Sequence, residues 1–171
     1  MQNIYCIGKI ENGQMMFKVC ENKSDVKKRV SIIEVKAIRE KTILYDTRKI
    51  NSPLDAANLA RKFLEHSDRE KLVLCCLDTK NQPLSISTVS IGSLNSSIVH
   101  PREVYKAAIL SNAASIILFH NHPSGDPTPS DEDVNITKRI KEAGDIIGIN
   151  VLDHIIVGND SYTSLKEKGA F

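Results

Sequence analysis

The stretch His120-Asn121-His122-Pro123-Ser124-Gly125-Asp126-Pro127-Thr128-Pro129-Ser130-Asp131-Glu132-Asp133 decides how this chain folds. It comes directly after the apolar run Ser115–Phe119, which reads as a short buried strand. It ends at Ser130, a good helix N-cap, with three acidic residues behind it that suit the positive end of a helix dipole. The unit is therefore strand, proline-stiffened loop, helix. In an extended segment residues i and i+2 point the same way, so the rings of His120 and His122 can reach one ion. Pro123, Pro127 and Pro129 restrict the loop, and Gly125 permits a tight turn. The loop can then fold back and carry Asp133 towards the histidines. Two imidazoles and a carboxylate are ligands that zinc prefers, and three protein ligands leave a fourth position for water.

Upstream, Ser52 caps and Pro53 opens an amphipathic helix over residues 53–66, with Leu54, Ala57, Ala60, Phe63 and Leu64 at helical spacing. Leu72–Leu77 is apolar on both faces, as in a covered central strand. Leu84–Ile91 is a second strand, and Pro101 to about Asn112 a helix. Downstream, the helix capped by Ser130 is expected to stop near Gly144. Ile146–Val157 reads as mainly strand, and Ser161–Leu165 as a short last element. Strands alternating with helices imply a layered α/β fold. The first fifty residues read as strands: Ile4–Ile10, a turn at Asn12-Gly13, Met15–Cys20, then Val30–Ile38 and Thr42–Ile50. The expected organisation is a β-rich extension over 1–52 and an α/β domain over 53–171.

With 171 residues and a formal net charge of +2, the chain is not a polyanion binder by charge alone. Lys27-Lys28-Arg29 and Lys138-Arg139 with Lys141 are the candidates for a local basic patch, and solvated surface is the simpler reading of them. No apolar run approaches the ~20 residues that span a membrane, and no signal-peptide pattern opens the chain. A cytoplasmic location is expected. Cys6, Cys20, Cys75 and Cys76 lack C-x-x-C spacing and are expected as thiols, the last two buried.

The pattern H-x-H-x10-D, with a serine three before the aspartate, resembles the JAMM motif of MPN/JAB-domain zinc metalloproteases. The longer string His-Asn-His-Pro-Ser-Gly-Asp-Pro-x-Pro-Ser is similar to the RadC branch. Leu77–Asn81, Gly92–Asn95, His100–Glu103 and Leu152–Ile156 resemble RadC-like proteins too, so the likeness runs from about Pro53 to the C-terminus. It implies an MPN/JAB-like fold, a central mixed sheet flanked by helices. It implies zinc held by His120, His122 and Asp133, with Ser130 assisting at the oxyanion. The family's upstream glutamate matches Glu70, before the strand Lys71-Leu72-Val73-Leu74; Glu65 and Glu103 are the alternatives. The reaction implied is hydrolysis of a peptide or isopeptide amide bond in a protein or peptide substrate.

Simpler roles stand beside these. Ser130 and Asp133 alone are explained by helix capping. His154 either orients a ligand or is a satisfied core residue, and Arg102 either binds a substrate carboxylate or forms a surface ion pair. Ser124, Gly125 and Asp126 border the site. RadC-like proteins also carry a DNA-repair label, so binding to nucleic acid or a partner protein without peptidase activity is the alternative. Full-length members usually have a helix–hairpin–helix region before the catalytic domain, and no such glycine pattern appears in the first fifty residues here. A third reading is a noncatalytic scaffold, although scaffolds of this superfamily lose the metal ligands. The letters His-Asn-His are no link to the HNH nucleases, whose named residues are scattered through a ββα unit.

Overall fold

A computed structural model describes residues 30–64, 67–92 and 99–171 in full, and before them the backbone of four two-residue strands. The chain divides into two compact units, Met1–Val35 and Lys36–Phe171. In the first, β1 (Tyr5–Cys6) pairs antiparallel with β4 (Lys18–Val19), and β2 (Ile10–Glu11) with β3 (Gln14–Met15). The turn expected at Asn12-Gly13 lies outside the described residues. Cys6, Cys20 and Lys27-Lys28-Arg29 lie outside the residues described in full.

The strands expected over Val30–Ile38 and Thr42–Ile50 do not form. Val30 is 91% exposed and Ile32 100%. Apolar alternation makes a strand only where a neighbouring strand takes the backbone hydrogen bonds and a core takes one face; here neither is supplied among the described residues. Only Ile50, with Ile43 and Tyr45 at its margin, joins the core of the second unit.

That unit is an α/β fold around a five-stranded mixed sheet, in the order β6-β5-β7-β8-β9. The strands are β5 (Lys71–Leu77), β6 (Pro83–Ile91), β7 (Ser115–Asn121), β8 (Asn150–Val157) and β9 (Tyr162–Ser164). β5 runs antiparallel to β6 and β7, β8 runs parallel to β7, and β9 returns antiparallel to β8. A parallel β7–β8 pair needs a crossover, and a helix supplies it. Helix α1 (Pro53–Leu64) covers one face, meeting Val73, Cys75, Ile117, Phe119 and Ile155. Helices α2 (Pro101–Leu110) and α3 (Asp131–Ile147) cover the other, meeting Leu72, Leu74, Ile116 and Leu118. Both faces of β5 and β7 are buried, which explains their unbroken apolar runs. Each such side chain contributes roughly 1.5–3 kcal/mol by burial, so β7 is a rigid support for the loop that leaves its C-terminal end.

The start of α1 is as its sequence indicates. Ser52 Oγ accepts from Asp55 N–H, and Asp55 Oδ2 accepts from Ser52 N–H, a reciprocal cap. Its buried stripe is Ala56, Ala57, Leu59, Ala60 and Leu64, while Leu54 stays half exposed. The expected continuation to residue 66 runs outside the described residues at 65–66.

Helix α3 does not stop at Gly144. It continues to Ile147 and ends on Gly148, whose left-handed φ of 82° is the usual C-terminal device. β8 consequently begins at Asn150 and not at Ile146. Gly144 serves packing instead: a Cβ there would collide with Tyr105 Oη and the Ile149 carbonyl. Tyr105 Oη–H donates to the Ile140 carbonyl at 2.8 Å, fastening α2 to α3, and burial pushes its pKa up to about 12. Cys75 and Cys76 are buried free thiols, both with pKa pushed up by burial. Among the described residues, no helix is long and apolar enough to cross a membrane.

Candidate metal centre

β7 runs past its apolar core, so His120 and Asn121 are its last two residues and His122 is the first of the loop. His120 is fully buried on the face covered by α2 and α3. Its Nδ1 lies 3.0 Å from the carbonyl oxygen of Lys71. A carbonyl only accepts, so Nδ1 carries the hydrogen and Nε2 presents its lone pair. His122 repeats the device: Nδ1–H donates to the Asp126 carbonyl at 2.7 Å, leaving Nε2 as the lone-pair nitrogen. The loop makes that possible. Gly125, at φ 84°, sends its N–H back to the His122 carbonyl, and Asp126 Oδ1 accepts from both the N–H and the hydroxyl of Thr128. Asn159 N–H and His122 N–H tie the loop to the end of β8 through the Gly125 and Val157 carbonyls.

Asp133 comes back on the first turn of α3, as the folded loop requires. Ser130 Oγ accepts from Asp133 N–H, while Asp133 Oδ2 accepts from the Ser130 N–H at 2.8 Å and its hydroxyl at 2.7 Å. Asp133 Oδ2 is also 3.6 Å from His122 Nε2, and Oδ1 is 3.7 Å from His120 Nε2. Burial would raise the Asp133 carboxyl, but the Ser130 donors, with His120, hold it below the usual carboxylate range. Burial drives the His120 ring the other way from its ordinary value, towards the neutral form, against the pull of Asp133 and Glu70.

Glu70 Oε1 approaches His120 Nε2 to 2.9 Å, and its side chain is 26% exposed. This contact is not aligned as a hydrogen bond: His120 Nε2 and Asp133 Oδ1 are both buried without a hydrogen-bond partner. Two imidazole lone pairs and two carboxylates thus converge, and two of the atoms at the centre are orphaned. Buried polar atoms are rarely left this way, and a cation bound between them would satisfy both at once. The ligand atoms of Glu70, His120 and His122 lie within 4.8 Å of one another. For a tetrahedral zinc with bonds near 2.1 Å, neighbouring ligands sit roughly 3.4 Å apart. Each histidine Nε2 has an Asp133 oxygen near that spacing, His122 from Oδ2 at 3.6 Å and His120 from Oδ1 at 3.7 Å.

The family model of the RadC-like JAB domain matches residues 50–170. The chain belongs to the RadC-like JAB domain family. It is 52% identical over 147 residues to a UPF0758 protein of Clostridium botulinum (strain Okra / Type B1), covering 84% of this chain and 64% of that protein. It is 56% identical over 120 residues to a UPF0758 protein of Desulfitobacterium hafniense (strain DSM 10664 / DCB-2), covering 70% and 53%. A UPF0758 protein of Clostridium acetobutylicum is 59% identical over 125 residues, covering 73% and 55%. The chain thus spans about half to two thirds of the length of these curated relatives.

Within this RadC-like domain, Glu70, His120, His122, Ser130 and Asp133 meet at one place. Glu103 does not: it lies at the start of α2 beside Arg102 at 3.7 Å and Lys106 at 3.5 Å, all three exposed. Arg102 is accordingly in a surface ion pair. Glu65 and His66 lie outside the described residues. Lys138 and Arg139 are exposed, and Lys141 pairs with Asp145.

His154 is buried behind His120, with ring centroids 6.1 Å apart. Thr137 Oγ1–H donates to the Asp133 carbonyl at 2.6 Å and accepts from His154 Nδ1–H at 2.7 Å. Burial drives the His154 pKa down to about 3, with the neighbouring His120 adding to the fall. Sequence reasoning missed Thr137, whose position one turn after Asp133 was the available signal. It also missed the Lys71 and Asp126 carbonyls, because backbone groups carry no residue signature.

Proposed function

We propose that this RadC-like domain is a zinc-dependent hydrolase that cleaves a peptide or isopeptide amide bond. The observation that carries the reading is the convergence of buried His120 Nε2 and Asp133 Oδ1, both without partners, beside a partly exposed glutamate. His120, His122 and Asp133 would hold the metal. Their roles differ from that of Glu70 by environment: Asp133 is 1% exposed and tied to a helix cap, whereas Glu70 reaches solvent. A zinc ion so held lowers the pKa of its water and polarises a carbonyl placed beside it.

The protein's own side chains move the proton. Glu70 accepts it from the attacking water on its carboxylate and returns it to the amine nitrogen as the C–N bond breaks. Water oxygen ends on the new carboxylate, and the leaving amine carries the proton. Ser130 sits exposed at the mouth of the site; turning its hydroxyl hydrogen from Asp133 Oδ2 to the substrate carbonyl oxygen would stabilise charge developing there. The Ser130 N–H keeps Oδ2 in place meanwhile.

The experiment is incubation of the zinc-loaded full chain with a proteome-derived peptide library, with new termini read by mass spectrometry. Wild type should generate them. Glu70→Gln should keep its zinc and lose turnover by about 10²–10⁴-fold. Zinc-loaded wild type that makes no new termini counts against peptide hydrolysis, and equal turnover in Glu70→Gln removes Glu70 as the proton carrier.

A further inference from the structure

We infer that Asn121 is a positioning residue for Glu70: the middle residue of His120-Asn121-His122 grips the backbone on both sides of the glutamate and sets its carboxylate against the metal centre. This rests on the hydrolase reading given above. His120 and Asn121 point to opposite faces of β7, and Asn121 is buried, 7% exposed. Its Oδ1 accepts from Lys71 N–H at 2.8 Å, and its Nδ2–H donates to the Arg69 carbonyl at 3.0 Å. The two bonds straddle Glu70. The Glu70 carbonyl itself accepts from Gly92 N–H at 2.8 Å, and the Lys71 carbonyl accepts from His120 Nδ1–H. The backbone from Arg69 to Lys71 is therefore held at four points, two of them by one side chain.

The residue type is what this place needs. Lys71 and Asn121 are the last rung of the β5–β7 ladder, and Arg69 and Glu70 lie beyond it. With no further rung, a side chain must offer one acceptor and one donor side by side. A primary amide does so; a carboxylate lacks the donor and an aliphatic chain lacks both. One tripeptide thus supplies two nitrogens for the cation and fixes the residue proposed to move the proton.

The test uses the full chain loaded with Co²⁺, whose visible absorption reports the surroundings of the metal, in wild type, Glu70→Gln, Asn121→Leu and the double variant. Glu70→Gln should alter the spectrum, Asn121→Leu should alter it in the same sense, and the double variant should match Glu70→Gln alone, because the two act through one group. All four should keep one cobalt per chain. In metal-free protein, hydrogen exchange at the Lys71 amide should be at least about fivefold faster in Asn121→Leu. If Asn121→Leu fails to fold, Asn121→Asp keeps the acceptor, loses the donor and should give a smaller change of the same kind. An Asn121 variant with the wild-type spectrum and wild-type Lys71 exchange, while Glu70→Gln is altered, overturns the inference. Loss of cobalt from the Asn121 variants also overturns it, since the residue would then support the ligands. Failure of the underlying reading looks different: wild type takes up no cobalt, or Glu70→Gln leaves its spectrum unchanged.

Discussion

Ser130 engages one carboxylate oxygen of Asp133 twice, through its N–H and its hydroxyl, and leaves the other oxygen buried and facing His120. Helix capping and the proposed metal ligation, which compete as explanations of Ser130-x-x-Asp133 in the sequence, are compatible on one carboxylate: Oδ2 takes the cap while Oδ1 stays open towards His120. Ser130→Ala should therefore show both effects. It should lose about 1 kcal/mol of stability as a cap is lost, and zinc affinity should fall about 10–100-fold as the ligand loosens. Urea melts and competition against a chromophoric chelator measure the two. Lost stability with wild-type zinc affinity would mean that the serine is only a cap.

The loop that carries His122 is packed tightly on the segment after β8. A Cβ on Gly158 would collide with the Gly125 carbonyl oxygen and the Pro127 ring. Gly158→Ala must move residues 125–127, and with them the Asp126 carbonyl that orients His122. The expected outcome is a loss of about 1–3 kcal/mol in stability and a loss of zinc affinity of about tenfold or more. Titration calorimetry with zinc checks it, and unchanged affinity would show that the loop does not set the ring.

Acid should unfold the metal-free protein partly through His154. Its folded pKa of about 3 lies below the ordinary 6.5, because burial excludes the charged ring. The unfolded chain takes up a proton that the folded chain refuses, so this contribution is fully present above about pH 6.5 and is lost as pH falls towards about 3. Between about pH 7 and 4.5 the loss is on the order of 2–3 kcal/mol. Asp133, depressed in the folded state, adds a loss of the same sign at lower pH. Urea midpoints at both pH values, in chelator, should fall less steeply with acid in His154→Leu. An identical pH dependence in that variant would contradict the assignment.

Much of this arrangement is legible in the sequence. Ser52 and Ser130 mark helix starts because their side chains take orphan N–H groups, and both do so here. The apolar runs at Leu72–Leu77 and Ser115–Phe119 mark strands covered on both faces. The sequence misleads where a local pattern needs a distant partner. Val30–Ile38 alternates like a strand but has no sheet to join among the described residues. Gly144 resembles a helix stop but is the gap that admits Tyr105. At the site, the histidines, Ser130 and Asp133 lie on one loop and can be read together. Glu70 comes from just before a neighbouring strand, and its meeting with His120 depends on the β5–β7 register, which places Lys71 against Asn121.

The proposed chemistry depends on a cation between His120, His122 and Asp133. Elemental analysis of the chain purified without chelators, for wild type and His122→Ala, tests this most directly. The expected result is about one zinc per wild-type chain and a loss of most of it in His122→Ala. Wild type without metal, or a variant that binds it equally well, would contradict the metal centre.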